Sequence, residues 1–189
     1  ARPVSSDTGF RIASMSKAFT AYAIMLLRDE GKLRLDDPVA KYIPEVARWA
    51  PDITVADLLH HSAGFVTDDP WGDRHQPMPE ADFTRLLKAG VPRTAAPETR
   101  YEYSNLGYAM LGRIVSNVGG RNFSQFIAER VFSPLGMAST TYEFTGFPAE
   151  RRAMGYRWED GAWRAEPVMA HGAFGAMGGI TTSANDYAR

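Results

Sequence analysis

The run from Ala18 to Leu27 sets the terms for the rest of the chain. Ala18, Phe19, Ala21, Tyr22, Ala23, Ile24, Met25, Leu26 and Leu27 put apolar side chains on every face of a helix. A helix that is apolar all round is enclosed by other elements. The predicted helix runs from about Ser14 to Glu30 and stops at Arg28-Asp29-Glu30-Gly31, polar residues followed by a glycine suited to a helix end. Two polar residues stand at its head. Ser14 and Lys17 are three apart, nearly one turn, and so lie one above the other on one face. Ser14 falls in the first turn, where free N–H groups and the positive end of the helix dipole favour a developing oxyanion. Lys17 reaches back toward the Ser14 hydroxyl. A lysine pressed into an apolar helix loses basicity and can accept a proton. A helix start with a surface lysine has the same spacing, but here the apolar run points to an enclosed cation, which needs a partner or a purpose. The pattern is a nucleophile with its base within one turn, Ser-x-x-Lys.

Composition narrows the function classes. The chain has 189 residues, enough for one domain, or one domain with a lobe, and 44% of them are hydrophobic, enough for a core. Net charge is −1 and no basic stripe occurs, which argues against a nucleic-acid partner. There is no cysteine, which excludes disulfides, thiol catalysis and cysteine–zinc sites. No apolar run reaches membrane-spanning length. Ala1-Arg2-Pro3-Val4-Ser5-Ser6 is not a signal peptide. A bacterial cytoplasmic location and a periplasmic or secreted one both stay open.

Along the chain, residues 1–9 read as the end of a strand or loop. Asp37-Pro38 opens a short helix that Pro44 closes. Thr54 caps another helix, with Asp57 three on as a capping box; Val55, Leu58 and Leu59 face the core and Gly64 follows. Asp68, Asp69, Pro70, Gly72, Asp73, Pro77 and Pro79 mark a surface loop over residues 65–79. A helix from about Glu80 to Ala89 buries Phe83, Leu86 and Leu87, and a loop with Pro92 and Pro97 follows. A helix from about Asn105 to Val118 carries Leu106, Met110, Ile114 and Val118 at a spacing of four and ends at Gly119-Gly120. Asn122 or Ser124 starts the next, with Phe123, Phe126, Ile127 and Val131 inside. Asp160-Gly161 between aromatic-rich runs predicts a hairpin over about 153–166. A glycine-rich bend follows at Gly172, Gly175, Gly178 and Gly179, and Ser183, with Asp186, caps a last helix.

A second constellation stands at the mouth of the Asn105 helix, in Tyr101-Glu102-Tyr103-Ser104-Asn105. Tyr103 and Asn105, two apart on a loop-to-helix turn, can face one cavity. A phenol beside a cationic lysine has a lowered pKa and can pass a proton between nucleophile and leaving group. The asparagine amide can orient the lysine or accept a substrate amide. The plainer reading makes Ser104 or Asn105 a cap and Tyr103 core filler.

Together the two stretches resemble the serine β-lactamase and penicillin-binding-protein superfamily, in its class C β-lactamase-like branch of β-lactamases, esterases, D-aminopeptidases and DD-carboxypeptidases. Phe10 to Lys17 is similar to the nucleophile motif and Tyr103-Ser104-Asn105 to the Tyr-x-Asn motif. The segments Ile53 to Gly64, Ser133 to Met137 and Gly178 to Asp186 are also similar to the branch. The resemblance implies an α/β (α+β) fold: an antiparallel sheet flanked by helices, plus a helical lobe, here about 36–135. It implies that Ser14 is acylated, that Lys17 is its base partner, that Tyr103 is general base and proton shuttle, and that Asn105 contacts substrate and lysine. The implied function is a serine hydrolase acting through an acyl-enzyme on an ester, lactam or peptide, esterase or β-lactamase-like. A D-amino-acid peptidase or DD-carboxypeptidase is the alternative, and a catalytically silent binding module of the same fold is the rival from another class. No cofactor is implied.

Two departures from the branch stand out. Pro97-Glu98 replaces the usual Pro-Gly ahead of the tyrosine. The third motif, a Lys- or His-containing strand on the far wall of the site, is not found before Arg189. Residues 1–189 therefore read as an internal, helix-rich fragment of one domain whose missing N- and C-terminal parts belong to the same protein, and the piece alone is expected to be inactive. His171-Gly172 lies ahead of Gly178-Gly179, where the third motif does not belong. Ser183-Ala184-Asn185 is better read as a cap. His60 and His61 lack a third ligand for a metal, and His61 reads as a structural hydrogen-bonder. There is no Gly-x-Ser-x-Gly elbow and no glycine-rich phosphate loop.

Overall fold

Helix α1 (Ser16–Asp29) is entered through a 3-10 turn, Ala13–Met15, so Ser14 sits just ahead of the regular helix. A computed structural model describes residues 3–66 and 75–189. At the far end Gly31 takes φ +70°, and the N–H groups of Gly31 and Lys32 bond back to the carbonyls of Arg28 and Leu27. That pairing closes the helix, and only the left-handed glycine makes it at low cost.

Among the described residues, six further helices and two small ladders surround α1. They are α2 (Val55–Leu59), α3 (Glu80–Ala89), α4 (Asn105–Gly119), α5 (Phe123–Ile127), α6 (Gly175–Gly178) and, at the end, the single turn α7 (Ala184–Tyr187). Strand β1 (Phe10–Arg11) leads into the Ser14 turn; β2 (Tyr156–Glu159) and β3 (Ala162–Ala165) form the hairpin; β4 (Thr181–Thr182) follows α6. β1 pairs antiparallel with β4, Phe10 opposite Thr182 and Arg11 opposite Thr181. Thr141 bridges to Thr181 from the other side. In the hairpin Trp158 opposes Trp163, and Asp160 and Gly161 both take positive φ, +51° and +77°, as the tight primed turn requires. Every residue of β2 and β3 is exposed.

The core lies between α1 and α4. Ala23, Ile24 and Leu27 of α1 and Leu106, Ala109, Met110 and Ile114 of α4 are fully buried. α4 also packs on α2, α5 and α6. Its approach to α6 depends on Gly112, where a Cβ would stand 2.5 Å from the Ala176 Cβ. Gly112→Val is expected to push α6 away and destabilise the full-length protein by about 1–3 kcal/mol; a melting temperature unchanged from wild type would show that the two helices have room to spare.

Several local readings of the sequence are met. Thr54 and Asp57 form the capping box, with each side chain bonded to the other's backbone N–H. Asn122, not Ser124, caps α5, which continues into a wider turn over Ala128–Phe132. Ser183 caps α7 by accepting from the Asp186 N–H at 3.2 Å. The proposed loop residues Asp68, Asp69, Pro70, Gly72 and Asp73 lie outside the described residues.

Two readings are corrected. The helix expected between Asp37-Pro38 and Pro44 is instead a pair of 3-10 turns, Val39–Lys41 and Pro44–Val46. Asp37 does not cap a helix by bonding its N–H groups; its carboxylate takes the Tyr42 hydroxyl, the Lys41 ammonium and the Arg34 N–H, which hold its pKa down to about 2. The other correction concerns α1, which is not covered all round. Ser16, Lys17, Thr20, Ala23, Ile24 and Leu27 are buried, whereas Ala18 and Tyr22 are exposed, Tyr22 by 49%. The buried stripe follows the helical repeat toward α4 and α6, and among the described residues nothing encloses the opposite face.

Candidate active site

Each of the four proposed residues owes its position to a local rule. Ser14 is held by the 3-10 turn, and the residue before it, Ala13, has φ +46°, a left-handed conformation that costs a non-glycine residue energy. Gly178 is packed against the Ala13 backbone, where a Cβ would stand 3.4 Å from the Ala13 carbonyl carbon. Lys17 follows one turn later on the buried side of α1. Ser104 caps α4, accepting from the Gly107 N–H at 3.0 Å, and this leaves the Asn105 side chain for other work. Tyr103 stands one residue before the cap and is not core filler.

The four side chains meet. The Tyr103 hydroxyl donates to Ser14 Oγ at 2.7 Å. The Lys17 ammonium donates to Ser14 Oγ at 3.2 Å, to Asn105 Oδ1 at 2.8 Å and to the Met177 carbonyl at 2.8 Å. Lys17 is 7% exposed, so its charge is largely removed from water. Its three acceptors match the three N–H bonds of an ammonium, which is what a buried cation needs. The Lys17 Nζ also lies 4.9 Å from the centre of the Tyr103 ring. A positive charge this close favours negative charge on the phenol oxygen.

The α6 segment is tied to α1 at further points that the sequence did not announce. Thr20 Oγ1 donates to the Ala176 carbonyl at 2.7 Å, and Ser16 Oγ accepts from the Ile180 N–H at 3.1 Å. Ser16, two residues from Ser14, is fully buried and engaged in holding β4; Ser14 is exposed. The side chains thus divide the work: one serine holds the frame and the other faces solvent. The Met177 carbonyl had no side-chain signature to read; only the run of small residues around it, Gly175-Ala176 and Gly178-Gly179, hinted at close backbone approach.

Next to the Ser14 turn lies a cavity of about 700 Å³, lined among others by Phe10, Ala13, Met154, Val168 and Gly178. Arg11, in the strand leading to Ser14, donates to Gln76 Oε1 at 2.7 Å and to the Met169 carbonyl at 3.0 Å, and so fixes two loops at this cavity. Among the described residues no group of His, Asp and Glu is placed to hold a metal ion, and no helix is long and apolar enough to cross a membrane. His171 contacts the Glu143 carboxylate, 3.2 Å away, and the ring of Tyr142.

His61 is a hydrogen-bonder, as the sequence suggested, and its place is closer to the site than the sequence indicated. Its Nδ1 accepts from the Ser104 N–H at 3.0 Å. Burial, with the Lys17 charge nearby, pushes its pKa down to about 4. The neutral ring is therefore the native form near neutrality. Between pH 6.5 and 4 the unfolded chain binds this proton and the native chain does not, so stability must fall as pH falls through that window. His61→Asn in the full-length protein is expected to flatten the pH dependence of the melting temperature between pH 4 and 6.5; an unaltered slope would show that His61 is not the group responsible.

Comparison with known proteins gives the family and the fold. The model of the family described as Beta-lactamase matches residues 1–189. The D-alanyl-D-alanine-carboxypeptidase/endopeptidase AmpH of Escherichia coli (strain K12) is 32% identical over 143 residues, covering 72% of this chain and 37% of that protein. The octameric penicillin-binding protein homologue from Pyrococcus abyssi superposes with a TM-score of 0.79 at 31% identity, over 98% of this chain and 44% of that one. A class C beta-lactamase superposes with a TM-score of 0.82 at 26% identity, over 99% of this chain and 50% of that one. The chain spans between about a third and about half of the length of the curated relatives it matches. With a family model covering all its residues and the same fold in these structures, the chain belongs to the beta-lactamase family and has the β-lactamase/transpeptidase-like fold.

Proposed function

We propose that the protein to which this chain belongs is a serine hydrolase that acts through an acyl-enzyme on an ester or amide. The observation that carries the reading is the contact of one exposed hydroxyl, Ser14 Oγ, with both a phenol at 2.7 Å and a buried ammonium at 3.2 Å. Ser14 is the nucleophile. Lys17, with its three protons directed at three acceptors, acts as a fixed positive charge. That leaves Tyr103, once its own proton is lost and as the phenolate beside the Lys17 charge, to take the Ser14 proton as the hydroxyl attacks the substrate carbonyl. Tyr103 then delivers that proton to the leaving alcohol or amine as the tetrahedral intermediate collapses to the acyl-enzyme. In the second half Tyr103 takes a proton from water as the water attacks the ester carbonyl, and returns that proton to Ser14 Oγ as the acyl bond breaks. Asn105 holds Lys17 in register and offers its amide to the substrate.

Within that class, the likeness to AmpH favours a peptide ending in D-alanine. The full-length protein should be assayed on a p-nitrophenyl ester, a chromogenic cephalosporin and a D-alanyl-D-alanine peptide. Turnover of at least one, lost on treatment with a fluorophosphonate that labels the protein, is the expected result. Failure of all three, with no labelling of the folded protein, would favour a silent binding module.

A further inference from the structure

We propose that His61 is a positioning residue for the proton-transferring phenol, acting on Tyr103 through a tilted ring contact and through the backbone of Ser104. The inference rests on the reading of Tyr103 as proton carrier. His61 lies just past the C-terminal end of α2, and its backbone takes φ +57°. That left-handed turn aims the imidazole away from the helix it follows and into the loop before α4. The ring then lies 4.5 Å, centre to centre, from the Tyr103 ring at an interplanar angle of 32°. On its other contacts it meets Tyr108 at 5.0 Å and the edge of Tyr101 at 5.5 Å. Its Nδ1 accepts the Ser104 N–H at 3.0 Å, and its own carbonyl accepts the Glu102 N–H at 2.7 Å. The two bonds bracket Tyr103, fixing the residue before it and the residue after it. The tilted contact of the two rings limits how the phenol can turn. A phenol with backbone and ring both held has little freedom left, and its hydroxyl is set 2.7 Å from Ser14 Oγ.

The charged and titratable groups around the imidazole are consistent with a neutral ring. Lys17 lies on α1, Tyr108 on α4, and Tyr101 and Tyr103 on the loop between. A protonated imidazole would lose its lone pair on Nδ1, and with it the Ser104 bond, and would set a second positive charge near Lys17. The device therefore holds only while His61 is neutral, and the phenol keeps its place across the range where the ring stays unprotonated.

Two variants separate the two contacts. His61→Asn tolerates the left-handed backbone and keeps a short acceptor but removes the ring contact. His61→Phe keeps a ring plane and removes the acceptor. Both are to be made in the full-length protein, with circular dichroism and a melting curve to establish folding. In each folded variant kcat for a p-nitrophenyl ester is expected to fall on the order of 10- to 100-fold, the scale of a misplaced catalytic group, with KM within about twofold. The pH profile of kcat in wild type should show an acid limb near pH 4 that the variants lack. Folded variants with wild-type kcat and an unchanged acid limb would overturn the proposal. Should one variant fail to fold, the other still decides it. Should neither fold, the acid limb in wild-type kcat decides: a limb near pH 4 while the protein stays folded supports the proposal, and a flat profile overturns it. If instead wild type shows no turnover and no fluorophosphonate labelling, the hydrolase reading itself has failed.

Discussion

Ser14→Ala in the full-length protein should reduce turnover by on the order of 10⁴- to 10⁶-fold, the usual consequence of deleting a catalytic nucleophile. The fold should survive it. Ser14 is exposed and outside the regular helix, and the frame around it is held by Ser16, Thr20 and Lys17 through the Ile180 N–H and the Ala176 and Met177 carbonyls. The melting temperature of Ser14→Ala should accordingly lie close to wild type. The companion test is Ser16→Ala, which removes a fully buried acceptor of the Ile180 N–H and should lower stability by about 1–3 kcal/mol while leaving a nucleophile in place. Were the two results exchanged, with Ser16→Ala inactive but stable and Ser14→Ala unstable but active, the roles given to the two serines would be reversed.

Tyr103→Phe and Lys17→Ala form the second large expected effect. Removing the phenolic hydroxyl deletes the group that takes and returns the proton, a loss typically worth 10²- to 10⁴-fold. Phenylalanine keeps the ring contact with His61, so this variant should fold as wild type. Lys17→Ala should cost as much in rate and also destabilise, because Asn105 Oδ1 and the Met177 carbonyl lose their donor in a buried setting. The double variant Ser14→Ala with Tyr103→Phe should be no slower than Ser14→Ala alone, since both act in one step. Steady-state rates on a p-nitrophenyl ester measure all four. Full activity in Tyr103→Phe would reduce the phenol to packing.

Much of this arrangement was legible from residue types and spacing. Ser14 with Lys17 one turn on, and Tyr103 and Asn105 straddling a capping serine, follow from helical geometry, and the structure brings the four within hydrogen-bond reach of one another. Caps at Thr54, Asn122 and Ser183 and the Asp160-Gly161 turn were readable because each satisfies a local backbone need. The harder features depend on contacts distant in sequence. The left-handed Ala13 has no local signal, since alanine does not favour that conformation; it shows only where Gly178 lets the backbones approach. The Met177 carbonyl is a backbone group, and any residue would supply it. His61 looked like one of an adjacent pair, and nothing in His60-His61 indicates that its ring meets that of Tyr103, 42 residues later. The exposed face of α1, with Tyr22, was misread because an apolar run gives hydrophobicity without saying which neighbour covers each side.

The most direct test of the central claim is the site of the covalent bond. The full-length protein is incubated with a slowly hydrolysed acylating substrate, quenched in acid, digested and mapped by mass spectrometry. An adduct of the acyl mass on Ser14, lost in Ser14→Ala, is the expected result. An adduct on Ser16 or Ser104 with Ser14 unmodified would contradict it.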